Sequence, residues 1–246
     1  MLLIGRAVRR IESEEQTMRR VGLRLVAVLA ILASLAAVGA PGVAASTSNT
    51  SSSYHLDLYR TGVFVTQYRW TWCVGASSQM MLNIIQGTSN TTFARQKALV
   101  TYAMNHDAFL NSNTGGSDAT GFAAALNHYG GGPYKVVMST NFRAAVRRAV
   151  IAMRRTNRPV GLLVMGGRHA WVMSGFDATA DPAATNNFDV TGVYVLGPLY
   201  PKEQKGYFDK PPDTLLTFNQ FRTPFHIFDD PDSPQFDGYW VTVNPS

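Results

Sequence analysis

One cysteine, Cys73, occurs in 246 residues, and that scarcity excludes more than any other feature of the chain. No internal disulfide can form, so the fold must be held by its core, unlike a small cysteine-rich secreted scaffold. Cysteine-built metal centres go with it. The five histidines are scattered without a His-x3-His pair, so neither a metal nor another cofactor is expected. No glycine loop has the strand-to-helix setting that cradles a phosphate: Gly115-Gly116 and Gly130-Gly131-Gly132 precede no such turn. There is no internal repeat and no wall-binding repeat. Excess charge is also missing. Of the 22 basic and 16 acidic residues, six and three fall in residues 1–45, so the formal +6 drops to +3 beyond them. A nucleic-acid partner is not expected from that balance. The sole basic cluster, Arg143 to Arg158, is spread along an Ala/Val helix in the pattern of a solvated face.

Only one long apolar run is present, and it reads as a leader. Arg19, Arg20 and Arg24 precede the uncharged stretch 25–38, which ends in Gly-Ala-Pro-Gly-Val-Ala-Ala-Ser. A charged segment, an apolar core and a small-residue site make a signal peptide, with cleavage expected after Ala45. The run of about 15–20 residues is short for a membrane span, and no second one follows. The expectation is an exported protein with no stable membrane anchor after cleavage; Met18 is an alternative initiator. Residues 46–53 are a polar linker of Ser, Thr and Asn, and residues 54–246 form the folded domain, long enough for one sizeable core.

Apolar residues at helical spacing predict helices over 73–86, 92–105, 118–129 and 141–156, with Gly87 and Gly130 as terminators and Asn141 as a cap. After Pro159 the pattern changes. Residues 160–165, 169–174, 190–196 and 239–243 are β-branched or aromatic and bounded by Gly, Pro, Asn and Asp, which predicts strands. Residues 177–189 read as a polar loop and 201–234 as a long Pro/Asp-rich excursion. Helices first and strands later predict an α+β fold, N-terminal helices packed as one layer on a C-terminal antiparallel twisted sheet or half-barrel.

Cys73 stands at the predicted start of the first helix, where unpaired N–H groups and the helix dipole favour a thiolate. A buried, inert thiol is the alternative for any single cysteine. His169 is the best candidate base because it opens a strand directly after Gly166-Gly167, a pair that lets a substrate come close; His55, His106, His128 and His226 lie near the linker, helix ends or the late loop. Gln67 precedes Cys73 by six residues. Its side-chain amide and the Cys73 backbone N–H could form an oxyanion hole. Trp70, Trp72 and Trp171 flank these residues, as packing or as cleft walls.

Gln67, five residues, then Cys73 at a helix start, with His169 opening a downstream strand, resembles the papain-like cysteine peptidase superfamily. Trp72-Cys73-Val-Gly-Ala-Ser-Ser-Gln-Met-Met-Leu and His169-Ala-Trp-Val-Met-Ser-Gly-Phe are similar to the branch related to bacteriocin-processing, double-glycine-type peptidases, over about residues 59–243. The Cys-Gly-Ser-Cys-Trp signature of papain itself is absent. The resemblance implies a bacterial secreted hydrolase in which Cys73 is the nucleophile, His169 the general base and Gln67 the oxyanion donor. It also implies a peptide or protein substrate; because the same Cys/His machinery serves both and an exported bacterial protein meets peptidoglycan first, a cell-wall peptide is the alternative substrate. The family places an orienting Asp or Asn at the end of the strand after the histidine, and here that place is Gly197. Asn187, Asp189 or another polar residue is then expected to reach the imidazole, or a main-chain carbonyl or water to take the role; failing that, the domain is a peptide-binding pseudo-peptidase.

Overall fold

Apolar periodicity of 3.6 and of 2 divides this chain into helices and strands much as the sequence predicts. The computed structural model describes residues 53–108, 115–204 and 206–246, which belong to a unit running from Thr50 to Ser246. The expected leader, its cleavage point and residues 46–52 of the linker lie outside the described residues. In chain order the elements are β1 (Tyr54–Asp57), α1 (Cys73–Gln86), α2 (Phe93–Met104), α3 (Ala119–His128), β2 (Tyr134–Ser139), α4 (Phe142–Thr156), β3 (Val160–Val164), β4 (His169–Ala178), β5 (Val190–Leu196), β6 (Glu203–Gln204), β7 (Tyr207–Phe208), β8 (Thr214–Thr217), α5 (Phe218–Phe221) and β9 (Trp240–Pro245). The fold is α+β, built on an open, antiparallel seven-stranded sheet of order β2-β9-β3-β4-β5-β8, with β1 also on β4.

β4 is the centre of this arrangement. One edge carries β3 along His169 to Met173 and then β1 along Gly175 to Ala178. The other edge carries β5, from Val172↔Leu196 to Ala178↔Val190. Pairing on both edges extends the strand past Ser174, where the polar residues that follow suggested a loop. Alternation along β4 sends Ala170 and Val172 to one face and Trp171 and Met173 to the other. On the first face α1, α2 and α3 bury Met80, Met81, Leu99, Phe122 and Leu126. On the second, α4 buries Val146, Val150 and Met153 together with Phe221 and Phe225. Each such side chain contributes about 1.5–3 kcal/mol when taken fully from water.

Helices therefore cover both faces, not one as the helices-then-strands order predicted. α4 crosses to the far side because its apolar stripe needs a surface that α1–α3 already occupy on the near side. β2, β1 and β8 were also missed. β2 and β8 lie at the ends of the sheet order and β1 pairs only with the outer half of β4, and short, partly exposed strands of this kind carry little alternation to read.

Three of the first four helices start on a side-chain cap: Thr92 accepts from Arg95 N at 3.3 Å, Asp118 from Thr120 N at 2.8 Å, and Asn141 from Ala144 N at 3.1 Å. α1 does not. Its N-cap position is Trp72, with no side-chain hydrogen bond. The helix that begins with Cys73 leaves its first N–H groups without a side-chain acceptor.

Candidate active site

Cys73 is the first residue of α1 and is part-buried. His169 is the first residue of β4 and is 9% exposed. Cys73 is one of the groups that shift the His169 protonation equilibrium, after burial and Asp209. The helix start, without a side-chain cap among the described residues, turns its positive dipole end toward the sulfur, a setting that stabilises negative charge. The two residues share a cleft of about 460 Å³ that Gln67, Trp70, Leu163, Gly167 and Asp232 help to line.

Behind the imidazole stands Asp209. His169 Nε2 lies 3.0 Å from Asp209 Oδ2. The Asp209 side chain is fully buried and accepts two further hydrogen bonds, from Trp171 Nε1 to Oδ1 at 2.8 Å and from the Leu199 backbone N–H to Oδ2 at 2.7 Å. A buried charge is tolerated only when it is paired and hydrogen-bonded in this way. Burial by itself would lower the His169 pKa, but the Asp209 and Cys73 hydrogen bonds outweigh it and raise the value to about 10. The fold thus favours the protonated imidazole, which stands against the Asp209 carboxylate.

Sequence reasoning missed Asp209, and Gly197 explains why. A Cβ built on Gly197 would lie 2.5 Å from Asp209 Cβ and 2.4 Å from its Cγ. The glycine at the strand end is the space into which Asp209 inserts its carboxylate. The orienting group comes from the 201–234 excursion, just after the small β6–β7 hairpin, twelve positions beyond the place where it was sought. Asn187 and Asp189 do not take the role. Both are exposed in the β4–β5 connection, at the opposite end of β4 from His169; Asp189 pairs with Arg143 at 2.6 Å.

The other expected residues are distributed as follows. Gln67 lines the cleft with Cys73, but its Nε2 donates to the carbonyls of Arg69 at 3.1 Å and Trp70 at 2.6 Å. Both amide hydrogens brace the loop that leads into α1, and Oε1 is buried without a hydrogen-bond partner. Trp72 lies against Phe93 with ring centroids 5.2 Å apart and does not line the cleft, whereas Trp70 does. Trp171 is 4% exposed and belongs to the core of the far face. Its role is at the back of Asp209, not in a cleft wall. Of the glycine pair only Gly167 lines the cleft; both have positive φ, and a Cβ on Gly167 would meet the Phe228 ring at 2.3 Å.

Among the described residues no group of three or more His, Cys, Asp or Glu side chains could hold a metal, and no helix is long and apolar enough to cross a membrane. The remaining histidines sit elsewhere: His55 on Asp177 at 2.7 Å, His106 and His128 stacked on Tyr102, and His226 against the Ile227 carbonyl. No protein-family model, curated protein or solved structure matches the chain.

Proposed function

We propose that this chain is an exported cysteine peptidase of papain-like type, hydrolysing amide bonds of a peptide through a thioester acyl-enzyme. The observation that carries this reading is the line Cys73–His169–Asp209, a thiol at an uncapped helix start, an imidazole against it and a buried carboxylate behind. The chemistry follows from those groups. With its proton held on His169, the Cys73 sulfur attacks the scissile carbonyl carbon, and the C=O electron pair moves to oxygen, facing the Cys73 N–H. Collapse of that intermediate breaks the C–N bond, and His169 gives its proton to the leaving amine. Water then attacks the thioester with His169 as base. His169, having taken a proton from that water, is again protonated; breaking the C–S bond leaves the negative charge on sulfur, and the product acid loses its remaining proton to solvent as it departs as a carboxylate. Asp209 holds the imidazole in place and stabilises the imidazolium, the role its counterpart has in a serine triad.

The test uses an irreversible thiol-directed inhibitor on the intact chain, followed by casein and purified cell walls as substrates. Cys73 is expected to be alkylated faster than a free thiol at the same pH, and Cys73→Ala to abolish hydrolysis. Release of stem-peptide fragments, without casein cleavage, would place the substrate in the wall. Alkylation at the free-thiol rate, together with hydrolysis unchanged in Cys73→Ala, would falsify the peptidase reading. Peptide binding without turnover in the unmodified chain would leave a pseudo-peptidase.

A further inference from the structure

We infer that Trp171 is a positioning residue of this site, its indole N–H holding the Asp209 carboxylate in the orientation that serves His169. The inference rests on the peptidase reading and adds to it. A carboxylate that orients a catalytic imidazole usually needs a backbone that fixes where it points. Here no side chain of β5 provides it. Asp209 reaches in from a loop, and its direction must be fixed by what it binds at its tip.

Two donors do this besides the histidine, the Leu199 N–H on Oδ2 and the Trp171 Nε1–H on Oδ1. His169 and Trp171 are two residues apart on β4, so alternation puts them on the same side of the strand. The β4–β5 register pairs Val172 with Leu196. One step further along the same register sets Gly197 beside Trp171. The carboxylate therefore fills the glycine gap next to the indole, with one oxygen on Trp171 and the other on His169. An indole N–H is a donor only and takes some acceptor when buried. Its acceptor here is the one carboxylate behind His169. Without that donor Oδ1 would be buried and unpaired, and the carboxylate would have to rotate away or take up a proton. Either change removes the charge from behind the imidazole.

The experiment compares the intact chain with Trp171→Phe, Asp209→Asn and the double variant, with the isosteric benzothienylalanine at 171 (sulfur in place of N–H) as the second way to delete the donor if Trp171→Phe does not fold. His169 titration by NMR is read alongside kcat, KM and the pH–rate profile. Deleting the donor is expected to lower kcat by about tenfold, the worth of a hydrogen bond to a charged group, with KM nearly unchanged. The His169 titration moves to lower pH, and the double variant is no slower than Asp209→Asn alone, because Trp171 acts through Asp209. An unmoved His169 titration, or losses that multiply in the double variant, overturns the inference. Absence of hydrolysis in the unmodified chain would count against the peptidase reading alone, since the His169 titration still decides the part played by Trp171.

Discussion

Gly197 and Asp209 are one feature written at two positions. Gly197→Ala puts a methyl where Asp209 Cβ and Cγ already lie, at 2.5 and 2.4 Å. Displacing the carboxylate should cost about 1–3 kcal/mol of stability, as overpacking does. The same change should lower kcat, read by urea denaturation and by turnover. The converse is sharper. Asp209→Gly should lose most activity, and Gly197→Asp in that background, where the Cβ at 209 that lies 2.5 Å from a Cβ at 197 is gone, should recover part of it by returning a carboxylate to the strand end. His169 adds a pH signature. Its ordinary value of 6.5 rises to about 10 in the fold, so the folded state binds the proton more tightly than the unfolded chain between those limits. That stabilisation is complete below pH 6.5 and lost as pH rises through 10. Denaturation midpoints measured from pH 7 to 10.5 should fall with pH, and Asp209→Asn should flatten the fall. Gln67→Ala should act first on stability, by about 1–3 kcal/mol, because its buried amide holds the carbonyls of Arg69 and Trp70 in the loop before α1; the melting temperature reads this directly.

β4 is the element on which the site depends, and its edges explain both its precision and one weakness. Strand pairing fixes His169 against Val164 and Trp171 against Leu162, so two side chains two residues apart face the same carboxylate without relying on a loop. At the other end of the strand, β1 brings Asp57 beside Asp213, which precedes β8. Burial, followed by the Asp57 charge, raises the Asp213 pKa from 3.8 to about 6. Its ionised form is thus disfavoured by folding, and stability from this group grows as pH falls from 6 toward 3.8. Asp213→Asn should raise the melting temperature at pH 8 and give no gain below pH 4. Asparagine tolerates the φ of +64° found there. Helix starts were readable one by one. Asn141 and the Cys73 start both fall where the periodicity placed them, since capping and 3.6-residue spacing are local properties.

The described residues form two apolar clusters on the two faces of one sheet. The members of both among the described residues lie in the unit from Thr50 to Ser246. A chain beginning at residue 50 should therefore fold cooperatively and react at Cys73 like the intact one, checked by thermal unfolding and thiol alkylation. Failure to fold would show that the preceding residues contribute to the core. The sequence alone determined the α+β class, the four long helices, the central strands and the pairing of Cys73 with His169, because each rests on short-range patterning or on a scarcity of alternatives. It did not determine that α4 covers the far face, that Gln67 turns its amide into its own loop, or that Asp209 completes the site. Those depend on which surfaces remain unfilled once the sheet has formed. In the sequence Gly197 reads as a missing side chain; in the folded protein it is the gap that admits Asp209, and only packing between residues distant in the chain makes that distinction.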